Sequence, residues 1–138
     1  MGFCSHSVTL RGWRRRSGPS AALPASAYVV IVTRGHRHDL DALRAVVNRE
    51  LRYVGLIGSR AKVARVYEAL LEEGVEAERL GHVYAPIGLD LGAVTPQEIA
   101  VSILAELIAV RRGRAATPAV AGASLKWMPK TVRPPVTT

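Results

Sequence analysis

The chain has 138 residues, about half of them hydrophobic, and a formal net charge of +8. That length allows one domain with a modest core and excludes two. No apolar run reaches the roughly 18–20 residues that cross a bilayer, and the single cysteine, Cys4, excludes an internal disulfide or a multi-cysteine zinc site.

Nothing therefore points to an oxidising compartment, and a cytoplasmic location with no membrane partner is expected. The charge is unevenly placed. Residues 28–112 carry 11 Lys+Arg against 11 Asp+Glu, whereas the flanks carry eight basic residues and no acidic ones. A nucleic-acid surface would need its cations on a folded face, with aromatic platforms for single strands. Neither is visible, so no nucleic-acid partner is expected.

Residues 1–27 show no hydrophobic periodicity, contain the cluster Arg14, Arg15, Arg16 and read as a disordered or non-native leader. "YVVIVT" (28–33) is a continuous β-branched run, the mark of a parallel strand covered on both faces. "DLDALRAVVNRE" (39–50) places Leu40, Leu43, Val46 and Val47 on one helical stripe, with Asp39 as its expected cap. "RYVGLIG" (52–58) is a second strand. "RAKVARVYEALLEEG" (60–74) is an amphipathic helix with Val63, Ala64, Val66, Tyr67, Leu70 and Leu71 on one side and Gly74 as its stop. "HVYAPIG" (82–88) reads as a third short strand ended by Pro86. "TPQEIAVSILAELIAVRRG" (95–113) opens with a capping box, Thr95 with Glu98, and closes with Arg111, Arg112 and Gly113. Glu106 falls on the narrow polar strip of that helix and reads as surface, or as a close contact with a neighbouring element. Residues 114–138 are rich in Pro, Ala and Thr and read as a flexible tail in which Trp127 and Met128 could dock.

The order β-α-β-α-β-α argues for an α/β fold with a parallel sheet and right-handed crossovers. Three strands leave an open sheet edge, which a partner could complete. Ligands in such sheets bind beyond the carboxyl ends of the strands. Three loops qualify. The first holds Gly35 and His36. With His38 and Asp39, His36 could be read as a metal set, but Asp39 is already assigned to a cap, so hydrogen bonding is the expected use and no metal is expected. The second holds Gly58, Ser59, Arg60 and Lys62: a tight turn, a cap, a guanidinium fork and a further cation, the parts of an anion cradle. The third holds Gly88 and Asp90, a close backbone approach and an acceptor for amino or hydroxyl groups. No Ser-His-Asp or Cys-His set emerges, so no catalytic residue is named. The G-x-G-x-x-G fingerprint for NAD(P) is absent from the sequence.

The segments "VTRGHRHDLDALR", "YVGLIGSRAKVARV" and "APIGLDLGAVTPQEIAVSILAELIAVRRG" together resemble the C-terminal Rossmann-like domain of the XdhC/CoxI family, over residues 28–113. The resemblance implies a three-layer, partial Rossmann-like domain in an accessory protein for xanthine dehydrogenase-type molybdenum hydroxylases. Its implied cofactor is molybdopterin, the molybdenum cofactor. Its implied partners are the apo-hydroxylase, a sulfurating cysteine desulfurase and further copies of itself, in a chaperone role and not a catalytic one. In the family the domain begins earlier, with a β-α-β unit. The resemblance therefore implies a domain truncated at its N-terminus, binding cofactor weakly alone or as a homo-oligomer. A phosphate at Ser59/Arg60 and a pterin edge at Asp90 or His36 would suit that cofactor. Two other functions remain open: an NAD(P)-dependent oxidoreductase fragment and a non-catalytic interaction module that pairs through its sheet edge.

Overall fold

The structure is a computed structural model that describes residues 23–130. Most of the leader read over 1–27, and the end of the tail read over 114–138, lie outside the described residues. Strand β1 (Tyr28–Ile31) pairs in parallel with β2 (Tyr53–Leu56), Tyr28 opposite Tyr53 and Ile31 opposite Leu56. Helix α1 (His36–Val46) makes the crossover, and α2 (Arg60–Glu72) follows β2 and packs beside α1. A short α3 (Ala77–Gly81), a long α4 (Pro96–Arg111) and a short α5 (Pro118–Ala123) complete the order.

The expected third strand contracts to a single parallel bridge between Gly55 and Tyr84. Tyr84 donates its amide to the Val54 carbonyl at 2.8 Å, and its own carbonyl accepts the Leu56 amide at 3.0 Å. The ladder then skips Pro86, which has no N–H to give, and resumes with the Ile87 amide on the Leu56 carbonyl at 3.1 Å. The chain therefore crosses the third sheet position, but too briefly to form a strand.

Side chains of β2 alternate between two cores, as the period of a strand requires. Val54 and Leu56 join Leu43 and Val46 of α1 and Val63, Val66, Tyr67 and Leu70 of α2. Tyr53 turns to the other face, where Ile87, Val110, Ile103 and Leu107 surround it. The result is the expected three-layer parallel arrangement, with α1 and α2 on one side and α4 on the other. Leu43, Leu56 and Leu70 have no exposed surface, and each such burial contributes roughly 1.5–3 kcal/mol. Gly55 lies where α4 and the 84–88 turn close over the sheet. A Cβ there would sit 2.5 Å from Ile87 Cδ1 and 2.7 Å from the Tyr53 hydroxyl, so β2 needs a residue without a side chain at this point.

Two expectations change. Helix α1 starts three residues before Asp39, with Gly35 at φ 108° as its N-cap. The glycine lets the chain turn straight into the helix, so Asp39 falls inside the first turn and is buried, not a cap. The segment after Arg114, read as a flexible tail, instead folds back over the 85–90 turn through residue 130. Asp90 donates its amide to Ala123, Leu125 to Gly88 and Trp127 to Ala85, at 2.6, 2.9 and 2.9 Å. Met128 packs against the α1/α2 core. Among the described residues no helix is long and apolar enough to cross a membrane.

Candidate functional site

Because β1 and β2 are parallel neighbours, the loops that follow them lie side by side, joined where the Ile57 amide donates to the Ile31 carbonyl at 3.1 Å. Both loops run directly into helix N-termini, α1 at His36 and α2 at Arg60. Among the described residues, the first amides of each helix, His36 to His38 and Arg60 to Ala61, meet no protein acceptor. Paired helix starts of this kind present N–H groups and positive dipole ends to an anion.

Side chains at the rim divide into those held by the protein and those left available. Ser59 caps α2 as expected, its Oγ accepting the Lys62 amide at 3.2 Å. Gly58 leaves room for the Lys62 stem: a Cβ there would lie 2.7 Å from Lys62 Cδ. Lys62, expected as a second cation for the anion, is committed elsewhere. Its ammonium pairs with the fully buried Asp39 carboxylate and donates to the Ile57 carbonyl at 3.4 Å. Thr33 donates to the other Asp39 oxygen at 2.5 Å. The physical reason is the burial of Asp39, since a buried carboxylate must be matched by charge and hydrogen bonds. Arg60 is different. Among the described residues it has no carboxylate partner, and its guanidinium lies over the Trp127 ring, 5.9 Å from the centroid. Arg34 on the neighbouring loop and His36 at the start of α1 are both exposed. Asp39 turns inward while His36 and His38 stay outside, so the three do not share a site.

The third loop starts beside the corner after β2, where the Ile87 amide donates to the Leu56 carbonyl at 3.1 Å, but its first candidate is taken up by packing. Gly88 has φ 103°, and a Cβ there would overlap Ser102 Oγ; its close approach is to α4, not to a ligand. Asp90 is exposed, but its carboxylate accepts the amide of Gly92 at 3.4 Å, a local turn bond.

Sequence reasoning placed Glu106 at the surface or against a neighbour, and the structure makes it the buried centre of the second core. Its Oε1 accepts the Tyr53 hydroxyl at 2.7 Å and the Gly88 amide at 3.0 Å, and its Oε2 accepts the Ser124 hydroxyl at 2.9 Å. Burial first, and then the adjacent carboxylate, push the Tyr53 hydroxyl well above the usual tyrosine range. A cavity of about 220 Å³ beside it is lined by Tyr84, Glu106, Ala115, Ser124 and Lys126. The Lys126 ammonium sits 4.5 Å above the Tyr84 ring on a side chain that stays exposed; the protein packed around it lowers its pKa, and Glu106 raises it. Both Glu106 oxygens accept from protein donors, so the carboxylate braces the second core. The available signal was Ser102 and Glu106 one turn apart on an otherwise apolar helix: a polar strip of that kind can mark the inner face.

The family model described as the XdhC Rossmann domain matches residues 2–107. The chain belongs to that family. It is 39% identical over 84 residues to the uncharacterized protein YqeB of Escherichia coli, covering 61% of this chain and 15% of that protein. It is 34% identical over 83 residues to a probable xanthine dehydrogenase subunit of Bacillus subtilis, covering 60% of this chain and 23% of that one. A solved structure described as a xanthine dehydrogenase from Bacillus halodurans superposes with a TM-score of 0.58 at 31% identity, over 75% of this chain and 29% of the other. The chain thus spans less than a third of each of these relatives. For this XdhC Rossmann domain, the donors at the rim fit the phosphate end of a nucleotide-like or pterin cofactor. Asp90 is exposed, with Oδ1 bonded to its own loop.

Proposed function

We propose that this XdhC Rossmann domain serves an accessory protein of xanthine dehydrogenase-type molybdenum hydroxylases, holding molybdopterin by its phosphate for delivery to the apo-enzyme. The two helix starts and the Arg60 fork bind and orient the phosphate, and Trp127 fixes the fork beneath it. His36, exposed on the first turn of α1, is a side chain that could meet the pterin edge. Once bound, the cofactor supplies the molybdenum centre on which the hydroxylase depends; the protein supplies binding and shielding. Sulfuration by a cysteine desulfurase would take place on this carrier.

One observation carries the reading: Arg60 sits uncommitted at a helix N-terminus while the nearby Lys62 is spent on Asp39. Equilibrium titration with molybdopterin tests it. Arg60→Gln removes a charge-assisted contact and is expected to weaken binding by about tenfold or more. Asp90→Asn is expected to leave it unchanged. Equal affinity of the wild type and Arg60→Gln would contradict the proposal.

A further inference from the structure

Helix α4 is apolar nearly all round, yet only one side of it is covered. Ser102, Glu106, Ala109 and Val110 face the sheet. On the opposite side Val101, Leu104 and Ile108 are 57%, 57% and 59% exposed. A helix without a polar side ordinarily has both faces buried. Gln97 and Arg111 extend the exposed row, giving steps of 4, 3, 4 and 3 residues, a spacing that keeps a seam on one stripe.

Val101 lies three residues before Leu104 and Ile108 four after it, so apolar side chains stand on both sides of Leu104. A short apolar stripe of this kind can meet the same stripe of a second copy across a two-fold axis that passes near Leu104. Charge selects the direction. Glu98 and Arg112 lie on the same flank of the stripe, near opposite ends of the helix. Antiparallel packing sets Glu98 beside the partner's Arg112, and each positive helix start beside a negative end. Parallel packing would set Arg112 against the partner's Arg112.

We infer that α4 is a homodimerisation helix, two copies of the chain packing antiparallel with Leu104 against the partner's Leu104 and Val101 against the partner's Ile108. The contact lies on the helical side of the sheet and does not use the open edge of β1. It stands whether or not the rim binds a cofactor.

Analytical ultracentrifugation of the full chain from about 1 to 100 µM decides it. The wild type is expected to dimerise, Leu104→Glu and Ile108→Lys to remain monomeric with unchanged far-ultraviolet circular dichroism, and Arg112→Glu to weaken the dimer by about fivefold. In a Cys4→Ser background, Leu104→Cys should form a disulfide across the axis on mild oxidation, and Arg65→Cys on α2 should not. A wild type that stays monomeric throughout would overturn the inference. So would a dimer that survives Leu104→Glu, or equal cross-linking at both cysteine positions.

Discussion

A carboxylate with almost no exposed surface is tolerated only when donors meet its oxygens, and Glu106 shows how this domain satisfies that demand. The Tyr53 hydroxyl, the Gly88 amide and the Ser124 hydroxyl come from β2, the 84–88 turn and the returning segment, so one side chain ties three remote parts of the chain to α4. Glu106→Ala would leave the tyrosine hydroxyl and the glycine amide buried without partners and open a void. We expect a loss of about 3–5 kcal/mol in urea unfolding. Glu106→Gln keeps one acceptor oxygen for Tyr53 and Gly88 and turns its amide toward the Ser124 hydroxyl, which can rotate to accept, so it should lose less, about 1–3 kcal/mol. Equal losses for the two would mean that hydrogen bonding is not what Glu106 provides. None of its partners is near it in sequence, which is why its role could not be read from helix periodicity alone.

At the scale of elements, local grammar was legible where local chemistry decides. Ser59 and Thr95 cap the helices expected of them, and Val63, Val66, Tyr67 and Leu70 face inward as their spacing requires. Grammar failed where a tertiary contact took over. Asp39 looks like a cap but serves as the buried partner of Lys62, and the third strand stops at a bridge because Pro86 interrupts the ladder. The α2 start allows a test that separates folding from binding. Ser59→Ala should destabilise the protein by about 1 kcal/mol in thermal or urea unfolding. It should not weaken anion binding, because it frees the Lys62 amide that Ser59 now occupies. A variant that keeps its stability would show that the cap contributes little.

For the whole molecule, alternation of strands and helices gave the α/β architecture directly, but composition misled at the C-terminal end. Residues 114–130 are as rich in Pro, Ala and Thr as a linker, and their hold on the domain is mostly backbone hydrogen bonding to the 85–90 turn. Residue type does not report such bonds. That segment also brings Trp127 under Arg60 and Ser124 to Glu106, so it supports both the rim and the second core. A chain ending at Gly113 is expected to unfold at lower urea, with a loss of at least about 3 kcal/mol. An unchanged midpoint would show that the segment merely lies on the surface.

The proposed carrier role depends above all on the rim being an anion site. Backbone amide chemical shifts on titration with inorganic pyrophosphate test that most directly. The largest changes are expected at Arg60 and Ala61 and at His36 to His38, with the residues around Glu106 unmoved. Shifts centred elsewhere, or none at those amides, would contradict it.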